Sequence, residues 1–334
     1  MPSGYSDSPY LALAMPMPSS VVVFVRAKKV GVIGVPTSAG AFAPGQEQAP
    51  RALREAGLLD RLGAGDVEVR DHGDRAVWRW RPDRENRRAQ NAAEVVEIVQ
   101  DTARRVRDAI AEDEATLVIG GDCTVGIGTV AGHVATEERV GLVYFDSHAD
   151  LNVPDSVREG ALDWMGLAHM LGEPGAVAAL VDAGGRAPLL ASEQVLLFGW
   201  GPEQATPFER DVIERRSIEV LPVDDVAADP EGAAGRARRW IEGRCDRVLV
   251  HFDVDVIDFT DVPLSENWGR NEGLSYEHAL RALGALLSSP RLAGLTITEL
   301  NPDHAERGAG SIERFAAAVA QSLSDALSPR RPSR

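Results

Sequence analysis

Val140-Gly141-Leu142-Val143-Tyr144-Phe145-Asp146-Ser147-His148-Ala149-Asp150 is the stretch on which the reading of the fold turns. Its first six residues form a short apolar run with no polar interruption. A strand that is apolar at every position is buried on both faces, which is the habit of a parallel sheet covered by helices. The run then ends abruptly in three chemistry-bearing side chains, Asp146, His148 and Asp150, spaced by Ser147 and Ala149. At positions i, i+2 and i+4 of extended backbone these three point to one side.

The same pattern recurs along the chain. Apolar runs at Val30–Val35, Thr116–Ile119, Gln194–Phe198, Arg247–Phe252 and Leu292–Ile297 predict further strands. Between them lie amphipathic segments, Ala92–Ile110, Pro207–Arg216, Glu231–Ile241, Tyr276–Leu287 and Ile312–Leu327, which predict helices. Alternating strands and helices imply right-handed βαβ crossovers, so the expected fold is α/β, a three-layer α/β/α arrangement with a mainly parallel central sheet. Ligands of such sheets sit outside the carboxyl ends of the strands. There Thr116–Ile119 runs into Gly120-Gly121-Asp122-Cys123, Arg247–Phe252 into Asp253-Val254-Asp255, and Leu292–Ile297 into Thr298-Glu299-Leu300-Asn301-Pro302. Acidic side chains thus gather at one edge of the sheet, where core packing gives them no purpose. With no internal repeat and no long linker, one catalytic domain is expected over 29–328, flanked by a disordered tail over 1–28 and a short tail over 329–334.

Bulk properties narrow the classes. The chain has 334 residues and a formal charge of −16, which argues against a nucleic-acid partner or an anionic membrane surface. No apolar run approaches the ~20 residues of a membrane helix. Two distant cysteines, Cys123 and Cys245, are too few for a disulfide scaffold, so a reducing cytoplasm is expected.

Asp146, His148 and Asp150 on one strand end and Asp253 and Asp255 on another form a candidate metal constellation. Buried together without a cation, these carboxylates would repel one another strongly. Two divalent ions, bridged by one carboxylate from each strand, would neutralise the cluster. An oxygen-rich donor set with little imidazole favours Mn²⁺.

At this point the chain resembles the ureohydrolase superfamily, which includes arginase and agmatinase. The resemblance rests on Phe145-Asp146-Ser147-His148-Ala149-Asp150, on Phe252-Asp253-Val254-Asp255-Val256-Ile257-Asp258, on Thr298-Glu299-Leu300-Asn301-Pro302, and on Gly120-Gly121-Asp122. The segment Gln46–Leu59 is similar to the family's early helix. What the resemblance implies is an arginase-like fold and hydrolysis of a small guanidino compound by a hydroxide held between two metal ions. One ion would be held by Cys123, Asp146, Asp150 and Asp253, the other by Asp146, His148, Asp253 and Asp255. Asp146 and Asp253 would bridge, Glu299 would pair with the guanidinium, and Asn152 would contact the substrate's far end. The family is often oligomeric, so a homo-oligomer is a further expectation.

Three departures stand out. Cys123 occupies the place of a histidine ligand, and a thiolate there adds charge, weakens the Lewis acid and shifts preference towards zinc, iron or cobalt. A less electrophilic centre suits a better leaving group, such as a hydroxylated guanidine. Glu159 and Asp163 fall where arginase has a serine and a proton-shuttling histidine, so Asp163 either relays a proton or caps the helix expected over Leu162–Leu171. The segment Leu264–Gly273 is unlike the family's loop, and Trp268 and Arg270 are expected to close over the substrate, with Arg270 taking a carboxylate. His72, His133, His169, His251, His278 and His304 lie outside the ligand spacing and are expected to be structural, with only His304 near the site edge. Two other classes stay open: hydrolysis of another C–N bond, formimino or amide, and a non-catalytic relative with an impaired metal site.

Overall fold

The computed structural model describes residues 29–136, 139–306 and 310–328, so both expected tails lie outside the described residues. Eight strands form one sheet: β1 (Lys29–Gly34), β2 (Glu68–Asp74), β3 (Ala115–Ile119), β4 (Val140–Phe145), β5 (Val195–Trp200), β6 (Glu219–Pro222), β7 (Arg247–Asp253) and β8 (Leu292–Thr298). Their order is β2-β1-β3-β8-β7-β4-β5-β6, and every pairing is parallel. The chain therefore has the α/β architecture that its alternating pattern predicts.

Strand register places the site. Phe145 pairs with Phe252, Phe252 with Ile297, and Ile297 with Ile119, so one row of side chains crosses the four central strands. This row points into one face of the core, where Phe145, Phe198, Phe252 and Phe315 pack as successive aromatic pairs with ring centroids 4.8–6.1 Å apart. Asp146 and Asp253 are the next residues on neighbouring strands and are brought side by side. Alternation along the strands then turns Tyr144 and His251, one residue before the row, to the opposite face.

Helices cover both faces. Ala92–Ala111 and Val125–Val134 pack on the Tyr144 side, while Pro230–Glu242, Tyr276–Leu287 and Ser311–Leu327 cover the phenylalanine row. All but Val125–Val134, which the sequence reading did not single out, match the amphipathic segments to within about a residue at each end, since their apolar stripes are what the sheet faces demand. The two outermost strands, β2 and β6, escape the apolar pattern because neither is fully covered. β2 reads Glu-Val-Arg-Asp-His-Gly-Asp, and Arg54 pairs with its Asp71 at 2.8 Å and its Asp74 at 2.6 Å. Charged edges of this kind discourage pairing with another chain.

Candidate metal centre and active-site cleft

The loop after β3 is shaped by a close approach. A Cβ at Gly121 would lie 1.6 Å from the carbonyl oxygen of Thr37, so only glycine fits. Asp122 folds the loop back by accepting from the backbone N–H groups of Gly40 at 3.0 Å and Thr124 at 3.1 Å. That leaves Cys123 facing the strand ends, with its backbone N–H donating to Glu299 Oε1 at 3.0 Å. Glu299 is gripped on its other oxygen by Gln46 Nε2 at 3.0 Å, and its own backbone N–H donates to Gly121 O at 2.7 Å. Glu299 (φ 62°) and Asp150 (φ 49°) both hold left-handed backbone, a conformation that side chains other than glycine rarely adopt.

Asp146, Asp253, Asp255, His148 and Cys123 converge. The backbone N–H groups of His148 and Asp255 each donate to the aspartate two residues before, at 2.7 Å in both cases. His148 Nδ1 lies 3.1 Å from Asp255 Oδ2 and 3.4 Å from Asp146 Oδ1. The Cys123 thiol donates to Asp253 Oδ2 at 2.8 Å. Asp146 Oδ2 and Asp255 Oδ1 are buried and have no hydrogen-bond partner. Oxygens of that kind are costly without a cation, and the donor set of carboxylates, imidazole and thiol is a metal-binding one. The residues present therefore fit metal ions. Two groups have ligand atoms within 4.8 Å of one another: Asp146, His148 and Asp255; and Cys123, Asp146, His251 and Asp253. Asp150 stands outside both groups, its Oδ2 accepting from Tyr144 OH at 2.5 Å while the side chain lines the cleft.

Electrostatics reflect the crowding of buried carboxylates. Burial, reinforced by Asp255, raises Asp146 to about 7. Burial and neighbouring carboxylates hold Asp150, Asp253 and Glu299 well above the usual range. Burial likewise pushes the Cys123 thiol up, with Asp253 adding to it. Only Asp255 is lowered, because His148 outweighs its burial.

Above the cluster lies a cleft of about 120 Å³ lined by Phe42, Asp163, Trp164, Glu266 and Asn267 beside the candidate ligands. A second lobe of about 210 Å³ adjoins it, sharing His148, Asp150, Trp164 and Asn267 and adding Asn152, Gln204, Thr206 and Glu209. Among the described residues, no lysine or arginine lines either lobe. Asn152 Oδ1 accepts from Thr206 Oγ1 at 2.9 Å and Ser156 Oγ at 3.0 Å, which leaves its amide donors for the cavity. Asp163 opens the helix expected from the sequence, a 3-10 turn over Asp163–Met165 that continues as α-helix over Gly166–Met170. Its Oδ1 accepts from Trp164 N at 2.9 Å, and burial raises its pKa well above normal, with Asp122 adding to it.

Several expectations are corrected. Arg270 does not reach the cleft; its guanidinium lies 5.8 Å from the Phe259 ring centroid and lines a separate hollow with Arg314. Trp268 is 63% exposed and packs against His304 and Phe259 instead of closing over the site. From that segment it is Glu266 and Asn267 that enter the cleft, with Asn267 Nδ2 donating to His148 Nε2 at 3.2 Å. Glu159 is exposed and does not line the cleft. His251 does point away from Phe252, but that is the face it shares with Asp253, and its Nε2 reaches Cys123 Sγ at 3.5 Å. The i, i+2 spacing of His251 and Asp253 was the signal available in the sequence. The aromatic walls, Phe42 on an irregular loop and Trp164 in the 3-10 turn, gave none.

Comparison with known proteins agrees with this fold. Arginase from Bacillus caldovelox is 28% identical over 287 residues, covering 84% of this chain and 93% of that protein. Its crystal structure superposes with a TM-score of 0.78 at 25% identity, covering 90% of this chain and 99% of that one. Arginase-1 of Homo sapiens is 26% identical over 282 residues, covering 83% of this chain and 86% of that protein. Formimidoylglutamase from Bacillus subtilis shares the fold, with a TM-score of 0.71 at 18% identity over 96% of this chain and 98% of that one. A sequence model described as Arginase, the Arginase family, matches residues 28–325, and the chain belongs to that family.

Proposed function

We propose that this protein is a metal-dependent hydrolase of linear amidines whose substrate is a small guanidino compound. The observation that carries this reading is charge. Asp150, Asp163, Asp253, Asp255, Glu266 and Glu299 all line one cleft above the buried Asp146, with no lysine or arginine among the described lining residues. Such a site is made for cations, and metal ions plus a guanidinium supply them.

Cys123, Asp146, Asp150 and Asp253 would hold one ion, and Asp146, His148, Asp253 and Asp255 the other, most suitably Mn²⁺ in the oxygen-rich position. Metal ions bound there lower the pKa of water and provide a hydroxide nucleophile at neutral pH. Glu299, held on both oxygens by Cys123 N–H and Gln46, is oriented to meet a planar guanidinium with charge-assisted hydrogen bonds. Asp163, whose burial makes it hold its proton to higher pH than an exposed carboxyl does, would give that proton to the amine nitrogen as the carbon–nitrogen bond breaks. Asn152 would meet the far end of the substrate through its amide donors. Phe42 and Trp164 would exclude water from the cleft.

The products are urea and an amine from a plain guanidine, or hydroxyurea from a hydroxylated one. The thiol at Cys123 favours the hydroxylated substrate, since a thiolate donor makes a weaker electrophile. The test is a panel of guanidino, hydroxyguanidino, formimino and amide compounds with manganese-loaded and zinc-loaded protein, read as urea, hydroxyurea or ammonia. Urea or hydroxyurea from a guanidino compound supports the reading. Turnover of only formimino or amide compounds would replace it.

A further inference from the structure

Behind the floor of the cleft lies a buried imidazole that the assignment above leaves unused. His251 is 1% exposed and sits two residues before Asp253 on the same face of β7. Its ring stacks on Tyr144 with centroids 4.3 Å apart and planes within 4°, which fixes its orientation. One edge is closed off, because a Cβ at Gly126 would come within 2.8 Å of Nδ1. The other edge faces the site, with Nε2 3.1 Å from Thr298 Oγ1 and 3.5 Å from Cys123 Sγ. Asp146, in the same cluster, aims a buried carboxylate oxygen that has no partner.

We infer that His251, in place of Asp150, is a metal ligand, and that with Cys123, Asp146 and Asp253 it forms a sulfur–nitrogen–oxygen site for a zinc-class ion. Ligand atoms of the four residues already lie within 4.8 Å of one another. For tetrahedral zinc, with Zn–S of about 2.3 Å and Zn–N of about 2.0 Å, the sulfur and nitrogen are about 3.5 Å apart. Cys123 Sγ and His251 Nε2 show that separation, 3.5 Å. Thiolate and imidazole select zinc, cobalt or iron, whereas Asp146, His148 and Asp255 present mostly oxygen and select manganese. The two positions would then hold different metals, which share Asp146. This inference rests on the reading of the cluster as a two-ion centre and not on the identity of the substrate.

The first experiment is anomalous diffraction at the zinc and manganese edges, on crystals of the full chain supplied with both metals. The expected result is zinc about 2.3 Å from Cys123 Sγ and about 2.0 Å from His251 Nε2, with manganese beside Asp255. Manganese in both positions, or zinc on Cys123 but beyond 3 Å from His251, overturns the inference; the imidazole would then be only a hydrogen-bond donor to the sulfur. In solution, cobalt titration of wild type should give a thiolate charge-transfer band. His251→Ala and His251→Asn, checked for folding by circular dichroism, should weaken cobalt binding at the Cys123 position by about 100-fold or more. Unchanged affinity and spectrum in both variants also overturn it. Because these readouts are metal positions and spectra, a protein that lacks guanidino turnover would still pass or fail them independently.

Discussion

Asp163 is the side chain through which the proposed chemistry is most directly tested. A buried carboxyl can act as an acid only while it keeps its proton, and its raised pKa extends that range upward. Activity should fall on the alkaline side as Asp163 ionises. Asp163→Asn should lower kcat about 10²- to 10⁴-fold, leave KM nearly unchanged and remove that alkaline limb. A full pH–rate profile of both proteins checks it, and an intact alkaline limb in the variant would assign the proton transfer elsewhere. Metal ligation makes a separate statement at the same scale. Asp253→Asn removes charge from both candidate positions while preserving shape, and should leave clearly less metal per chain by elemental analysis. At this scale the sequence was legible where clustered side chains follow a strand, as with Asp146, His148, Asp253 and Asp255, which the structure brings together. It was misleading where loops decide. Arg270 looked suited to a carboxylate, yet Phe259 draws it to a different hollow.

Elements place these residues, and single interactions at their ends have measurable weight. The helix Pro207–Arg216 starts at Thr206, whose Oγ1 accepts from Glu209 N at 3.1 Å while its hydroxyl donates to Asn152. Thr206→Ala should cost about 1 kcal/mol of stability in denaturant unfolding. It should also raise KM more than it lowers kcat, because Asn152 loses a restraint. A variant with unchanged KM would detach Asn152 from substrate binding. Gly121→Ala is a harsher change, since its methyl would run into Thr37 O; lost metal binding is expected even where the chain still folds. Six apolar strands and five of the six helices of ten or more residues among the described residues could be read from periodicity, because burial on a sheet face dictates it; Val125–Val134, buried at nearly every position, shows no amphipathic stripe and was missed. β2 and β6 could not be read either, since they are edge strands whose residues answer to solvent as much as to the core. The Leu162–Leu171 segment is helical as expected over 163–170, with its first turn, Asp163–Met165, tightened to 3-10 and the rest, Gly166–Met170, α-helical.

For the whole molecule, the buried carboxylates link stability to pH and metal. Asp146 is raised from an ordinary aspartate value to about 7 in the folded, metal-free chain. A group raised on folding contributes stability at low pH, and that contribution is lost as pH climbs through the folded value. Asp150, Asp253 and Glu299 shift in the same direction, while Asp255 opposes them. The metal-free protein should therefore melt at progressively lower temperature between about pH 4 and pH 7. Metal addition should stabilise it most at the upper end of that window. Melting curves with and without chelator across the range test this, and a metal-free melting point that rises with pH would contradict it. A last consequence follows from the backbones of Asp150 and Glu299. Each non-glycine residue held in the left-handed region forgoes about 1–2 kcal/mol, so glycine at either place would relax the chain while deleting a carboxylate. A library of variants selected only for heat resistance should accumulate such glycines and drift towards sturdy, inert descendants.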